Sequence, residues 1–323
     1  MNVTLSTPPR SAGSRIAGMG HYQPPTVVTN DDLVALGVNT NDEWIQSRVG
    51  IAERRFARDE TMLDMAAAAA SKALAYSGIA PSEVDLVILA TCTGKQQVPG
   101  GAAELASRLG ISSPGAYDVN AACAGFVYGL NAASNAVLAG HARNVLVVGS
   151  EKLTDYVDLM DRGTGIIFAD GAGAAVVTAS DSVGIGPVVW GSDGDSAGAI
   201  TTDPESATLR QEGQSVFRWA TSQMGEVAAR ACELAGIAPS ELAAFVPHQA
   251  NLRIIDSIAK RLELPESVVI ARDIVTSGNT SSASIPIALS KLIERGEVTS
   301  GDPVLIIGFG AGLTYASQVI LAP

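Results

Sequence analysis

The sequence is poor in cysteine and in long apolar runs, and both shortages narrow the kind of protein it can form. The chain of 323 residues has only three cysteines, Cys92, Cys123 and Cys232. They are odd in number and widely spaced, which fits neither a disulfide framework nor a zinc site. Apolar runs such as 145–148 stop at a glycine after about four residues, too short for a transmembrane helix. We therefore expect a protein of the reducing cytoplasm that holds no metal and spans no membrane.

Positive charge is also scarce. The formal net charge is −12, from 21 Lys and Arg against 33 Asp and Glu, which argues against nucleic acid and anionic membrane surfaces as partners. An acidic ligand would therefore need a local basic patch. Apolar residues reach 47% and charged residues only 17%, which indicates a large packed core or an oligomer interface. Residues 1–14 are rich in Ser, Thr and Pro and lack an apolar core, so we expect a loose tail and no signal peptide.

The most informative feature that is present is an internal repeat. The hexapeptide Gly-Ile-Ala-Pro-Ser-Glu occurs at 78–83 and again at 236–241, 158 positions later. Each copy follows an Ala-rich helical stretch and precedes a short apolar strand. Apolar strands that end at Gly149 and Gly308 repeat at nearly the same spacing. Because the chain also alternates β-branched runs with helical stretches, we predict an α/β fold of two duplicated halves related by a pseudo-twofold axis.

The repeat also sets the expected boundaries. We place the first half at 15–183 and the second half at 217–323. The segment between them, 184–216, is acidic and rich in Gly, Ser and Thr, so we expect surface loops that cover the site. Within the first half, the glycines of 166–177 predict a hairpin.

Three polar residues at the expected strand ends have the chemistry of an active site. Cys123 lies where an extended run gives way to a helical pattern, and a helix N-terminus favours the thiolate over the thiol. His248 directly follows an apolar strand, and its counterpart in the first half is Ala90. The turn at Asn279 lies 156 positions after Cys123, and we match these two turns. Pseudo-symmetry then brings the cysteine, the histidine and the asparagine together at the junction of the halves.

Several roles are possible for these three side chains. Free cysteines are often inert packing, and a buried histidine is often structural. As a set, the three groups favour acyl transfer, in which the thiol attacks an acyl carbonyl and backbone N–H groups hold the oxyanion. The imidazole and the amide would then stabilise an enolate, or the site would instead hydrolyse its substrate. Spacing alone leaves both mechanisms open.

Three segments, 118–130, 246–255 and 278–286, resemble the active-site motifs of the β-ketoacyl-acyl carrier protein synthase III family. The resemblance runs from about Ser14 to the C-terminus. It implies a thiolase-like fold with layers in the order α-β-α-β-α, in a homodimeric enzyme without a cofactor. The implied reaction is the decarboxylative condensation of an acyl-CoA starter with malonyl-acyl carrier protein, which initiates fatty-acid synthesis.

The same resemblance implies roles for individual residues. Cys123 would carry the acyl group, while His248 and Asn279 would stabilise the enolate. The backbone N–H groups of Cys123 and Ala311 would form the oxyanion hole, and Ala311, where the family often has glycine, must then avoid positive φ. The remaining sets are Trp44, Arg48 and Arg162 for CoA, Arg218, Arg253, Lys260 and Arg261 for docking of the acidic carrier protein, and Val98, Leu153, Phe168 and Phe217 for the acyl pocket.

Simpler readings accompany these assignments. Helix packing alone would explain Trp44, and a solvated charged face would explain the basic residues. The pocket role of Val98 depends on a second subunit, from which its side chain would reach in.

Two other functions stay open at this point. A related acyltransferase or ketide synthase of secondary metabolism would keep Cys123, His248 and Asn279 and use another acceptor. A catalytically silent partner that binds acyl carriers would have no need of the three residues, so their presence counts against it. The sequence does not specify the acyl starter.

Overall fold

The computed structural model describes residues 7–323, which form fourteen strands and nine α-helices. The strands are β1 (Gly13–Tyr22), β2 (Thr26–Thr29), β3 (Glu53–Phe56), β4 (Leu86–Ala90), β5 (Gly115–Val119), β6 (Asn144–Lys152), β7 (Asp170–Ser180), β8 (Val189–Gly191), β9 (Ile200–Thr202), β10 (Leu209–Gln211), β11 (Ala244–Pro247), β12 (Val269–Ile270), β13 (Pro303–Gly310) and β14 (Thr314–Leu321). The helices are α1 (Asn30–Ala35), α2 (Asp42–Val49), α3 (Met62–Ser77), α4 (Gly101–Arg108), α5 (Gly125–Leu138), α6 (Gly213–Ala235), α7 (Leu252–Arg261), α8 (Ile274–Ser277) and α9 (Ser284–Glu294). Of the expected tail, residues 1–6 lie outside the described part, and β1 already begins at Gly13.

Two five-stranded sheets share one strand order. The first sheet runs β1-β7-β6-β4-β5, and the second runs β8-β14-β13-β11-β12. In the first sheet β4 pairs in parallel with β5 and β6, and β7 pairs antiparallel with both β6 and β1. The second sheet repeats this pattern, with β11 parallel to β12 and β13, and β14 antiparallel to β13 and β8. The predicted duplication is therefore confirmed.

Helices α5 and α9 form a central layer between the two sheets. Phe126 and Leu130 of α5 and Leu289 of α9 are buried in one apolar cluster with Val147 of β6 and Ile306 of β13. Full burial of one such side chain contributes roughly 1.5–3 kcal/mol. Helices α3 and α4 cover the outer face of the first sheet, and α6 and α7 cover that of the second. The layers thus follow the predicted order α-β-α-β-α. Within residues 7–323 no helix combines the length and the apolar character needed to cross a membrane.

The prediction of a hairpin within 166–177 is wrong. β7 is one continuous strand from Asp170 to Ser180, hydrogen-bonded to β6 on one side and to β1 on the other. Its glycines have a packing role instead, because a Cβ at Gly173 would lie 2.7 Å from the ring of Pro286 in α9. Glycine here permits close approach of a helix to the sheet, which a sequence cannot distinguish from a turn.

The segment 184–216 is more regular than the loops we expected. It contains β8, which is the edge strand of the second sheet, the two-stranded sheet of β9 and β10, and the start of α6. Strands of three residues are too short to show an alternating pattern, which explains why the sequence did not reveal them. The division of the chain into 1–14, 15–183, 184–216 and 217–323 stays a prediction.

Candidate active site

Cys123 lies in a strained turn between β5 and α5. The turn is a single 3₁₀ turn, Ala122–Ala124, and Ala122 before the sulfur adopts a positive φ of 44°. The side-chain oxygen of Asn120 accepts the Ala122 N–H at 3.2 Å. Left-handed backbone is costly for a residue with a Cβ, so the surrounding structure must hold this conformation.

The second half contains the same turn before α9. Ser281 has a φ of 48°, and the side-chain oxygen of Asn279 accepts the Ser281 N–H at 2.8 Å. Asn279 is thus the counterpart of Asn120, and Ser282 is the counterpart of Cys123. The predicted match between Cys123 and Asn279 is wrong by three positions, since Ser282 lies 159 positions after Cys123, close to the spacing of 158 between the two hexapeptides.

The structure does bring the three predicted side chains together. Cys123, His248 and Asn279 line one cavity of about 1130 Å³. Each comes from a different strand end or turn at the junction of the two sheets. Hydrogen bonds anchor the backbone on both sides, since the His248 N–H donates to Ile307 at 2.7 Å and the Asn279 N–H donates to Ile167 at 2.9 Å.

His248 is held as a neutral imidazole. Only 2% of the residue is exposed, and this burial lowers the pKa of His248 to about 3. Its Nδ1 lies 2.7 Å from Ser284 Oγ, which also accepts the Gln249 N–H at 3.2 Å. Because the Ser284 O–H can then donate to Nδ1, we assign the proton of the ring to Nε2. The ring packs edge-on against Phe309, with centroids 5.3 Å apart.

Hydrogen bonding also leaves the Asn279 side-chain amide with a free donor group. Its side-chain oxygen is occupied by the Ser281 N–H, so the NH₂ group is left as the donor. The backbone C=O of Asn279 accepts the Ala169 N–H at 2.9 Å, which fixes the turn against the end of β7. Two neutral N–H donors, one from His248 and one from Asn279, are therefore available in the cavity that also contains the Cys123 thiol.

The surroundings of Cys123 favour the thiol over the thiolate, contrary to the prediction. Burial raises the pKa of Cys123 to about 12, and the Ser281 hydroxyl opposes this to a lesser degree. The predicted preference for the thiolate is thus outweighed by burial. The backbone of Gly310 packs directly on the sulfur, because a Cβ there would lie 3.0 Å from Cys123 Sγ. Ala311, which follows, is not among the residues with positive φ, as predicted.

The residues predicted for CoA lie around the mouth of the same cavity. Trp44, Arg48 and Arg162 all line it. The guanidinium carbon of Arg162 lies 4.5 Å from the centroid of the Trp44 ring, and that of Arg48 lies 5.8 Å from it. Trp44 also packs partly against a core cluster, so the simpler packing role holds for one part of its surface.

The basic residues divide into two groups. Arg218 and Arg253 are exposed and line the cavity, and the Arg253 guanidinium carbon lies 4.8 Å from the ring centroid of Phe217. Lys260 and Arg261 are also exposed but lie at the far end of α7. Arg261 forms an ion pair with a glutamate of α6 at 3.0 Å.

Three of the four residues predicted for the acyl pocket belong to the cavity lining. Leu153, Phe168 and Phe217 line the cavity. Val98 is not among the lining residues of the described chain and is 86% exposed. The sequence did not identify Cys92, which also lines the cavity; its only signal was its position just after β4, beside the counterpart of a catalytic strand end.

A duplicated α/β fold, with a thiol, an imidazole and an amide at the junction of its halves, defines a class: cysteine-dependent acyl-transferring enzymes with the thiolase-like fold. Comparison with known proteins gives the family. Residues 117–194 match the family described as 3-Oxoacyl-[acyl-carrier-protein (ACP)] synthase III, and residues 232–321 match its C-terminal part. The chain belongs to the β-ketoacyl-acyl carrier protein synthase III family and is a condensing enzyme of the acyltransferase type.

Individual relatives cover nearly the whole chain. A synthase III of Streptomyces avermitilis is 53% identical over 315 residues, which are 96% of this chain and 99% of the relative. One from Streptomyces coelicolor is 51% identical with the same coverage. Among solved structures, the priming β-ketosynthase of the R1128 polyketide pathway has a TM-score of 0.95 at 45% identity, covering 99% of this chain and 98% of its own. The synthase III of Aquifex aeolicus has a TM-score of 0.91 at 41% identity, covering 96% and 100%.

Proposed function

We propose that Cys123 is the nucleophile that takes an acyl group from acyl-CoA. The Cys123 thiol attacks the thioester carbonyl, and the backbone N–H groups of Cys123 and Ala311 hold the oxyanion. The adduct collapses with loss of CoA, which leaves as a thiol with the proton from the cysteine. Gly310 supports this assignment, since only glycine lets the backbone before Ala311 approach the sulfur so closely.

In the second half-reaction malonyl-acyl carrier protein loses carbon dioxide. The electron pair of the broken C–C bond forms an enolate, whose oxygen accepts hydrogen bonds from His248 Nε2–H and the Asn279 NH₂ group. The enolate carbon attacks the acyl-Cys123 carbonyl, and the C–S bond breaks to give the 3-ketoacyl-carrier protein. The observation that carries this proposal is that both donors are neutral and have their other polar atom already occupied.

Substrate binding follows from the surroundings of the cavity. The adenine of CoA would stack between the Trp44 ring on one face and the Arg162 guanidinium on the other. Arg48 would contact the phosphates of CoA. The exposed Arg218, Arg253, Lys260 and Arg261 form a basic surface on a protein of net charge −12, which suits an acidic carrier protein. The proposal involves no metal or other cofactor, since acyl-CoA is a substrate.

We also propose that the enzyme is a cytoplasmic homodimer. β5 is an edge strand of the first sheet, and Tyr117 on it is 42% exposed. Unpaired edge strands of this kind favour pairing with another chain. A partner placed there would cover the exposed Val98 and let it complete the acyl pocket beside Leu153 and Phe168.

One assay tests the reaction directly. The enzyme is incubated with acetyl-CoA and malonyl-acyl carrier protein, and carbon dioxide and the mass of the carrier product are followed. Cys123→Ala should abolish the acetyl adduct seen by intact mass. His248→Ala and Asn279→Ala should spare that adduct and slow decarboxylation by about 100-fold or more. Equal loss of both steps would contradict the division of roles.

A second assay tests the carrier surface. Arg253→Glu should raise the KM for malonyl-acyl carrier protein and leave that for acetyl-CoA nearly unchanged. Arg230→Glu, an exposed arginine of α6 outside the proposed surface, is the matched control. If both KM values rise together in Arg253→Glu, the arginine has a structural role.

The alternative of another acyltransferase or ketide synthase of secondary metabolism is not favoured. The relatives that match nearly the whole of this chain are named as β-ketoacyl-acyl carrier protein synthase III enzymes.

A further inference from the structure

Glu151, at the end of β6, is a buried carboxyl group that the mechanism above does not use. It has no exposed surface, and none of the ion pairs within residues 7–323 includes it. Its Oε2 accepts hydrogen bonds from the hydroxyls of Thr91 at 3.1 Å and Thr93 at 2.7 Å, and from the Cys92 N–H at 3.1 Å. This oxygen is therefore fully used as an acceptor.

The other oxygen, Oε1, shares the Cys92 N–H as a donor, at 3.3 Å, and has two further neighbours. Ser282 Oγ lies 2.8 Å from it and Cys92 Sγ lies 3.4 Å from it. The Ser282 hydroxyl has a second acceptor, the backbone C=O of Ala90 at 2.9 Å. When Ser282 donates to Ala90, Oε1 can itself be the donor, which places a proton on Oε1. Burial raises the pKa of Glu151 and favours the same protonated form.

A chain of polar atoms leads from this carboxylic acid to the nucleophile. Cys92 Sγ lies 3.4 Å from Glu151 Oε1 and 3.7 Å from Ser281 Oγ. Ser281 lies in the turn before α9, which contacts the turn that contains Cys123. Cys92, Ser281 and Cys123 all line the same cavity, so the chain ends at the reacting atoms.

The duplication explains how a carboxyl group fits here. Gly149 and Gly308 are equivalent positions of β6 and β13, so Glu151 is the counterpart of Gly310. Gly310 packs on Cys123, and Glu151 packs on Ser282, the counterpart of Cys123. The half without a nucleophile therefore has room for an acid where the catalytic half needs a glycine.

We propose that Glu151, Cys92 and Ser281 form a proton relay that supplies a proton to the Cys123 sulfur when the condensation product leaves. The inference rests on the proposed assignment of Cys123 as the acyl carrier. As the C–S bond breaks, its electron pair goes to sulfur, which takes the Ser281 hydroxyl proton. The Cys92 thiol then reprotonates the Ser281 oxygen, and the Glu151 carboxylic acid reprotonates the Cys92 sulfur. In this relay Ser281 donates directly to the reacting sulfur, whereas Cys92 and Glu151 act through it as positioning residues.

The relay also balances the protons of a turnover. In the acylation step the proton of the Cys123 thiol leaves with CoA, which is released as a thiol. The overall reaction therefore consumes one proton for each carbon dioxide released. The Glu151 carboxylate left by the relay is stabilised by the Thr91 and Thr93 hydroxyls and the Cys92 N–H. It regains a proton from solvent through the Cys92 thiol, which is partly exposed to the cavity.

The loss of the relay has a specific consequence. A Cys123 thiolate that is not protonated attacks the newly formed ketone and reverses the condensation. The enolate then takes a proton from water and is released as acetyl-carrier protein. Variants without the relay should therefore release more carbon dioxide than 3-ketoacyl product, whereas a variant that is merely destabilised loses both in proportion.

The test uses enzyme preloaded with acetyl-CoA and then mixed with malonyl-acyl carrier protein, with carbon dioxide and both carrier products quantified by mass. Ser281→Ala is the main variant, and alanine is compatible with this backbone because Ala122 has nearly the same positive φ. Glu151→Gln removes the acidic proton. Cys92→Ala interrupts the chain, and Cys92→Ser restores it. Cys232→Ala, a buried cysteine of α6, is the matched control.

We expect Ser281→Ala, Glu151→Gln and Cys92→Ala to condense about 10-fold more slowly, less than the roughly 100-fold or more that a lost proton donor typically costs, because water that enters the cavity is a substitute. Formation of the acetyl adduct should slow less than condensation. Their ratio of carbon dioxide to 3-ketoacyl product should exceed one, and Cys92→Ser should return it to one. A ratio of one in all variants, or equal slowing of acylation and condensation, overturns the relay. Absence of the adduct from Cys123 in the wild-type enzyme overturns the proposed function instead.

Discussion

Replacement of Gly310 by alanine is the sharpest test of the geometry around the nucleophile. A Cβ at this position would lie 2.8 Å from Cys123 Cβ, 3.0 Å from Cys123 Sγ and 3.1 Å from Cys123 N. Ordinary contacts of a Cβ begin at 3.4 Å, so the two segments must separate by 0.6 Å. The φ of Gly310 is 179°, an extended conformation open to any residue, so the effect is purely steric.

The size of the expected effect follows from this displacement. Overpacking by one methyl group costs about 1–3 kcal/mol of folding stability. A displacement approaching 1 Å at a reacting centre lowers the rate by about 100-fold. Gly310→Ala should therefore fold but acylate Cys123 about 10- to 100-fold more slowly than the wild-type enzyme.

The assay is the rate of acetyl-adduct formation by intact mass, measured beside thermal melting. Gly194→Ala is the matched control, since a Cβ there meets nothing within 4 Å. If Gly310→Ala acylates at the wild-type rate, the close approach of β13 to the sulfur has no catalytic consequence, and the assignment of the Ala311 N–H to the oxyanion hole loses its support.

Two further predictions concern binding and pH. Trp44→Ala should raise the KM for acetyl-CoA about 10-fold, because stacking on a base contributes about 1–3 kcal/mol. The control is Trp190→Ala, which removes an exposed tryptophan of β8. An unchanged KM in Trp44→Ala would leave Trp44 with only a packing role. His248 is neutral in the fold with a pKa of about 3 and has a pKa of 6.5 when unfolded, so the unfolded state binds more protons between these values and stability falls as pH falls. From pH 7 to pH 5 the loss from His248 is about 2 kcal/mol. Burial raises the pKa of Asp170 to about 6, which acts in the opposite direction, so the measurement is the stability difference between wild type and His248→Asn at the two pH values. A difference that does not change with pH would contradict a neutral buried imidazole.

The repeated hexapeptide was sufficient to predict the duplicated fold, because both copies occupy the same place before a central strand of each sheet. Its spacing of 158 positions also nearly aligns the two turns, since Ser282 lies 159 positions after Cys123. The predicted match is three positions short of this because it pairs Cys123 with Asn279, whereas the asparagine that corresponds to Asn279 is Asn120. The equivalence of the two asparagines becomes visible only in the hydrogen bonds that close the two turns.

The candidate site was predictable where a residue type carries its own chemistry, as Cys123, His248 and Asn279 do. The remainder depends on register. Glu151 is the second residue after a glycine in a buried strand, and its sequence does not reveal that Oε1 faces Ser282 and Cys92. The same applies to the Ser281 hydroxyl, whose relation to two sulfurs arises only from the packing of the two halves.

The two turns show how one duplicated backbone acquired two roles. Both place a positive-φ residue before the start of a central helix, with an asparagine side chain closing the turn. In the first half the residue after the strained position is Cys123, and the facing strand has Gly310, which leaves the sulfur open to substrate. In the second half the equivalent pair is Ser282 and Glu151, and the space that a substrate would occupy is filled by hydrogen-bonded side chains. In the proposed mechanism, the asymmetry between these pairs makes the first half the one that carries the acyl group, and the proposed relay connects a buried acid to the sulfur without exposing that acid to the substrate.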